Sequence, residues 1–183
     1  PYYSQKDFLN KCIQFETVYT AMQYLSAALV GCPYMGVGRN LCYKKKLFVK
    51  SNGFQSHKHL ASGDDDLFVN QIANKQNTAV MINPDTFCYS APVTSWRAWY
   101  QQKNRHLSTS THYQLKHQVL LGFLSLTHFG FYGTLIVAIS LSTNSWAWYL
   151  LLIGYSLRFF SQLYVFNGVF KQLKVAMPLW YVP

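Results

Sequence analysis

Apolar side chains recur at helical spacing early in the chain, at Phe8, Ile13, Phe15, Val18, Tyr19, Met22, Leu25 and Leu29. Lys6, Lys11, Gln14 and Gln23 mark the opposite side. This period predicts an amphipathic helix over residues 7–30, lying in a membrane interface or in a protein core. Gly31-Cys32-Pro33 should end it. Gly36-Val37-Gly38 predicts a turn, and Leu41–Tyr43 and Leu47–Val49 read as short strands around Lys44-Lys45-Lys46. A helix is expected from about Asp65 to Asn74, and a strand over Ala79–Ile82, closed by Asn83-Pro84-Asp85. Ser95 to Arg105 reads as a second helix.

The pattern changes near residue 118. Residues 1–117 hold 13 of the 16 Lys and Arg residues and all six carboxylates, while residues 118–183 hold only Arg158, Lys171 and Lys174. Two apolar runs follow, about 119–141 and 146–165, joined by Ser142-Thr143-Asn144-Ser145. Each is long enough to cross a hydrocarbon core of roughly 30 Å at about 1.5 Å per residue. They predict a transmembrane hairpin, with a possible third span from Met177. Lys103, Arg105 and Lys116 precede the first run, Lys171 and Lys174 follow the second, and the connection has no charge. Positive charge stays inside, so residues 1–117 are expected on the cytoplasmic face, with Trp146, Trp148 and Tyr149 at the outer interface. Arg158 and His128 fall inside the apolar runs, where an ionisable side chain is a functional candidate by default.

Composition narrows the classes. Only 12% of residues are charged and half are hydrophobic, which excludes a disordered tail and a charged coiled coil. The net charge of +10 favours anionic partners: nucleotide phosphates, nucleic acid or an acidic membrane face. The hairpin argues against nucleic acid. Cys12, Cys32, Cys42 and Cys88 lack the density of a disulfide or zinc scaffold and read as reduced thiols. The ends, Pro1-Tyr2-Tyr3 and an apolar stretch cut at Pro183, suggest a piece of a longer chain.

Asp64-Asp65-Asp66 holds half of the carboxylates on three consecutive positions. Like charges this close resist joint ionisation, so at least one pKa should rise, which suits a general base. The same residues suit a helix N-cap, and the two readings are compatible. Gln102 and Arg105, at i and i+3, share a helix face and can converge on a diphosphate or a sugar hydroxyl; a basic face against lipid head groups is the alternative. Arg39-Asn40 follows a Gly-x-Gly turn, whose N–H groups can face phosphate or simply reverse the chain. His57 and His59, at i and i+2, fit either a metal pair or a polar loop.

Gly63-Asp64-Asp65-Asp66-Leu67-Phe68-Val69-Asn70, then Gln102-x-x-Arg105-His106, then apolar spans, resembles a membrane-bound family 2 glycosyltransferase. Met35 to Tyr43 and Gly53-Phe54 resemble its smaller bacterial members. The resemblance covers about residues 1–175. It implies an α/β fold: residues 1–117 would be the C-terminal part of a cytoplasmic GT-A catalytic domain, and residues 118–183 the transmembrane helices. It implies sugar transfer, with inversion, from a nucleotide-sugar donor to a sugar or lipid-linked acceptor at the inner membrane. By this resemblance Asp65 is the catalytic base and Asp64 its acidic neighbour. Gln102, Arg105 and His106 match the later motif beside donor and acceptor, and Arg39 and Asn40 join the substrate-binding set. The family has Trp where this chain has His106, which argues against processive polymerisation. A divalent metal, Mg2+ or Mn2+, is implied, with ligands expected upstream of Pro1 and none in this chain. The alternative is a non-catalytic, membrane-anchored basic protein that binds anionic lipid or a partner.

Overall fold

The computed structural model of the chain describes residues 1–60, 62–142 and 144–175. In order, its helices are α1 (Phe8–Leu29), α2 (Lys45–Lys50), α3 (Asp66–Ile72), α4 (Trp96–Ser110), α5 (Leu115–Leu141) and α6 (Ser145–Gln172). Short 3-10 turns occur at Gly38–Asn40 and Pro84–Thr86. The expectation of an α/β domain over residues 1–117 is corrected here. About 64% of the described residues are helical, and no strand or sheet occurs among them. The one β-type contact is an isolated parallel bridge between Tyr2 and Ser90. The run Ala79–Ile82 is extended but finds no neighbouring segment to complete a ladder. A β-rich sequence specifies extension, whereas a strand also needs a partner.

The second local correction is at Leu47–Val49, which forms part of α2. One helical turn sends Phe48 inward and leaves the lysines outside. Its ring lies 5.8 Å from Tyr43, 5.0 Å from Phe54 and 5.5 Å from Phe68. Gly53, at φ +57°, sits under that ring, where a Cβ would come within 2.6 Å of it. The helices at the other predicted places form with caps. Asp7 accepts from Asn10 N–H, Asp65 from Asp66 N–H and Ser95 from Ala98 N–H.

Helix α1 joins two clusters. Toward its first half, Phe15, Val18, Tyr19 and Met22 pack on Phe166 and Phe170 near the end of α6. Toward its second, Tyr24 and Ala27 meet Tyr34, Leu67 and Tyr113. It is therefore a packed helix of the fold. Helices α5 and α6 are long and apolar enough to cross a membrane, and few residues of their apolar stretches are buried by the rest of the chain. Arg158 on α6 donates from Nη2 to His128 Nδ1 on α5 at 3.2 Å and lies over the rings of Phe131 and Tyr132. The sequence named both residues without pairing them. The suggested third span from Met177 and part of the α5–α6 connection, Thr143, lie outside the described residues.

Asn70, 2% exposed, fastens these parts together. Its amide donates to Tyr34 C=O at 2.8 Å and to His117 Nδ1 at 2.9 Å. Its Oδ1 accepts from Gln114 N–H at 2.8 Å, and Gln114 Nε2 returns a bond to Asn70 C=O. Gln114 is the residue that starts α5. Replacing Asn70 by Ala strands two buried partners, Tyr34 C=O and His117 Nδ1, each costing about 1–3 kcal/mol when left unsatisfied. Asn70→Ala is expected to lower the thermal midpoint of the detergent-solubilised chain by several degrees. A midpoint equal to that of the wild type would show that this network contributes nothing.

Candidate active site

The acidic motif sits where α3 begins, and its three carboxylates face three environments. Asp64 is exposed, Asp65 half-buried and Asp66 buried at 5% exposure. Asp65 caps α3, with Oδ1 accepting from Asp66 N–H at 2.9 Å. Its Oδ2 accepts from Gly38 N–H at 2.6 Å, across 27 positions of sequence. The Gly-x-Gly turn thus gives its amide to a carboxylate of the protein. A Cβ at Gly38 would lie 3.1 Å from that Oδ2, so a larger residue would crowd the bond.

Asp66 is the carboxyl whose pKa rises, to about 7. Burial is the main cause, the neighbouring charge of Asp65 adds to it, and the Tyr113 hydroxyl opposes it. Tyr24, Tyr34 and Tyr113 surround this carboxyl, and burial pushes all three phenols above their ordinary value. They remain protonated donors at neutral pH. The sequence foresaw that one of the three aspartates would rise; only burial reveals which, because residue 66 points into the Tyr34–Leu67–Tyr113 cluster.

Helix α4 lies against the motif. Gly63, at φ +104°, lets Thr109 come close: a Cβ there would meet Thr109 Cγ2 at 2.5 Å. Gln102 Nε2 reaches the Tyr2 hydroxyl at 3.5 Å, and the Arg39 guanidinium lies 4.4 Å from the centre of the Tyr2 ring. Tyr2, unmarked in the sequence, brings Arg39 and Gln102 to one place. His106 is exposed on α4, close enough to feel the charges of Asp65 and Glu16. Partial burial first, then Lys103 and Arg105, hold its pKa below the ordinary value. Lys103 pairs with Glu16 and ties α4 to α1. Arg105 and Asn40 are exposed and make no side-chain hydrogen bond or ion pair among the described residues. The geometry therefore joins Gly38 to Asp65, and Arg39 to Gln102 through Tyr2, while Asn40, Arg105 and His106 are exposed.

The three carboxylates are spread over three environments and form no ligand set for a divalent cation: Asp66 is turned inward beside Tyr113, Asp65 is directed by two backbone amides, and only Asp64 is open to solvent. Among the described residues no group of three His, Cys, Asp or Glu is placed to bind a metal.

The pattern of glycosyl transferase family group 2 matches residues 1–161, which include the whole of this site. The chain belongs to that family. No curated protein and no solved structure matches it. Membership in glycosyl transferase family group 2 makes the chain part of a transferase that moves a sugar from a donor to an acceptor.

Asp66 gives this site a pH signature. Its carboxyl binds a proton below about pH 7 when folded and only near pH 4 when unfolded. Between those values the folded state holds more protons, so this group's contribution to stability is present below about pH 4 and is lost as pH rises toward 7. Asp66→Asn should remove it. Relative to Asp66→Asn, the wild type is expected to lose stability from about pH 5 to pH 7 and to level off above that. A constant difference across that range would contradict a raised Asp66.

Proposed function

We propose that the chain carries the acceptor side of an inverting, nucleotide-sugar-dependent glycosyltransferase working at the cytoplasmic face of a membrane. The observation that carries this reading is the Gly38–Asp65 hydrogen bond. It draws the turn bearing Arg39 and Asn40 to the acidic motif, while α4 brings Gln102 and His106 from the other side.

Asp65 is the base. Each of its oxygens accepts one backbone N–H and keeps a second lone pair, so the carboxylate is aimed by the backbone and still able to accept a proton. The acceptor hydroxyl attacks the anomeric carbon as its proton passes to Asp65. The bond from that carbon to the diphosphate oxygen breaks, and the electron pair leaves with the nucleoside diphosphate. A single base suffices, unlike the two opposed carboxyls general in glycosidases. Asp64 adds negative charge beside the base. Arg105, unpaired at the rim, is the guanidinium for the departing diphosphate, with Arg39 as a second cation and Asn40 and Gln102 as hydrogen-bonding neighbours. His106 offers an imidazole face to the acceptor sugar. No step assigned here uses a metal; the divalent cation that the resemblance implies finds no ligand set in these residues.

Helices α5 and α6 serve as the membrane anchor in this reading, supported by their length and by how little of them the protein covers. A lipid-linked or exported acceptor suits that position.

Two experiments test the proposal. In the natural full-length enzyme, Asp65→Asn should lower turnover by at least about a hundredfold with the fold retained, since a positioned base contributes typically 10²–10⁴-fold. In the same assay Arg105→Ala should raise the donor KM. Turnover of Asp65→Asn near that of the wild type would remove Asp65 as base, and an unchanged donor KM would return Arg105 to a lipid-facing patch. A reporter active only outside the cytoplasm, fused after Lys174, should stay silent; a positive signal would invert the assigned orientation.

A further inference from the structure

Arg39 stands on the Gly38–Asn40 turn, next to the residue whose amide holds Asp65. It is half-buried, and its side chain makes no hydrogen bond or ion pair among the described residues. A loose arginine is a poor ligand, because a long side chain loses rotamer freedom when it binds. Tyr2 limits that freedom beforehand: the guanidinium carbon lies over its ring, 4.4 Å from the centre. A ring face attracts the cation through its quadrupole without neutralising it, so the charge stays available to an anion. Tyr2 is itself held. Tyr3 N–H donates to Ser90 C=O at 3.1 Å, and Ser90 N–H donates to Pro1 C=O at 3.2 Å. Tyr3 also stacks on Tyr89, with ring centres 5.6 Å apart. The isolated bridge of the fold thus fixes the backbone on both sides of Tyr2. At the tip of the ring, the hydroxyl accepts from Gln102 Nε2 at 3.5 Å.

Two contacts of different chemistry meet on this one side chain. The ring takes a cation from the Gly38–Asn40 turn, and the hydroxyl takes an amide from α4. The nearby carboxylates are engaged elsewhere: Asp65 is directed by two backbone amides, Asp66 faces Tyr113, and Glu16 pairs with Lys103. A cation left unneutralised beside the proposed base suits an anionic part of the substrate, which in the transferase reading is the donor diphosphate. We propose that Tyr2 is a positioning residue for that diphosphate, holding Arg39 over its ring and Gln102 at its hydroxyl so that both meet the donor in a preset arrangement. The proposal rests on the transferase reading above and adds to it the residue that preorganises the cation. Tyr2 acts through Arg39 and Gln102, and less of their freedom is lost on binding.

The test is a double-mutant cycle in the natural full-length enzyme in detergent, read by calorimetric titration with UDP, GDP and TDP in the presence of Mg²⁺. Arg39→Ala should weaken the nucleotide that binds by at least about tenfold, the usual scale of a charge-assisted hydrogen bond. Tyr2→Leu should weaken it by about two- to fivefold, the scale of a partly exposed cation–π contact, and should add nothing once Arg39→Ala is present. Tyr2→Phe keeps the ring and should restore most of the affinity lost in Tyr2→Leu. In turnover, Tyr2→Leu should raise the donor KM and leave the acceptor KM unchanged, a split that a general loosening of the fold does not produce. Additive effects in the cycle overturn the proposal, as does a Tyr2→Phe as weak as Tyr2→Leu. A second measurement needs no folded Tyr2 variant. In wild-type protein labelled with ¹³C and ¹⁵N at arginine, the Arg39 side-chain resonances, assigned from Arg39→Lys, should lie upfield of their random-coil positions through the Tyr2 ring current and move when nucleotide is added. Random-coil positions for Arg39 overturn the proposal as well. Failure of the wild type to bind any of the three nucleotides, or an Arg39→Ala with unchanged affinity, removes the donor role of Arg39 and this proposal together. Dependence on Arg39 without coupling to Tyr2 removes this proposal alone.

Discussion

The amide of Asn70 fastens the N-terminal part of the chain to the start of α5, beside the packing of α1 on α6. Asn70 spends both N–H bonds and its carbonyl oxygen on three different segments: the Tyr34 stretch, the Gln114 start of α5 and His117 one turn further on. Tyr34 and His117 are buried and depend on Asn70 for these hydrogen bonds, while Gln114 lies toward solvent. Because Asn70 lies one helical turn after Asp66, the same short α3 presents the acidic motif at its start and grips α5 in its middle. The acidic motif is therefore tied to the start of α5 through a 7-residue helix and its amide.

Around that anchor the three aspartates divide their work by environment. Identical side chains on consecutive positions become a solvent-facing charge, a backbone-held carboxylate and a buried, proton-retaining acid. Burial of Asp66 spares Asp65 a fully charged neighbour at neutral pH. Two adjacent carboxylates both ionised would repel each other. The tyrosines that surround Asp66 supply protons for hydrogen bonding without supplying charge.

Much of this was legible in the sequence. The long helical period of α1, the helix from Ser95 and both apolar helices followed from pattern, as did the family resemblance from the order of its motifs. The α/β expectation failed because it came from the resemblance and from extended-looking runs, and pairing between distant segments leaves little trace in either run alone. Tyr2 and Tyr113 were invisible for a related reason: each acts through a contact with a residue far along the chain. Asn70 was quoted only as the end of a motif. Its role depends on three partners, two of them backbone groups, which carry no sequence signal at all.

Arg158 bears on how the chain is made. An isolated arginine at the centre of a span costs about 2.5–3.5 kcal/mol to insert. His128, Phe131 and Tyr132 all lie on α5, which leaves the ribosome before α6 does. In the membrane-spanning reading proposed above, the imidazole acceptor and two aromatic faces are made before the guanidinium that uses them. The order of synthesis would then be part of how the cation is accommodated.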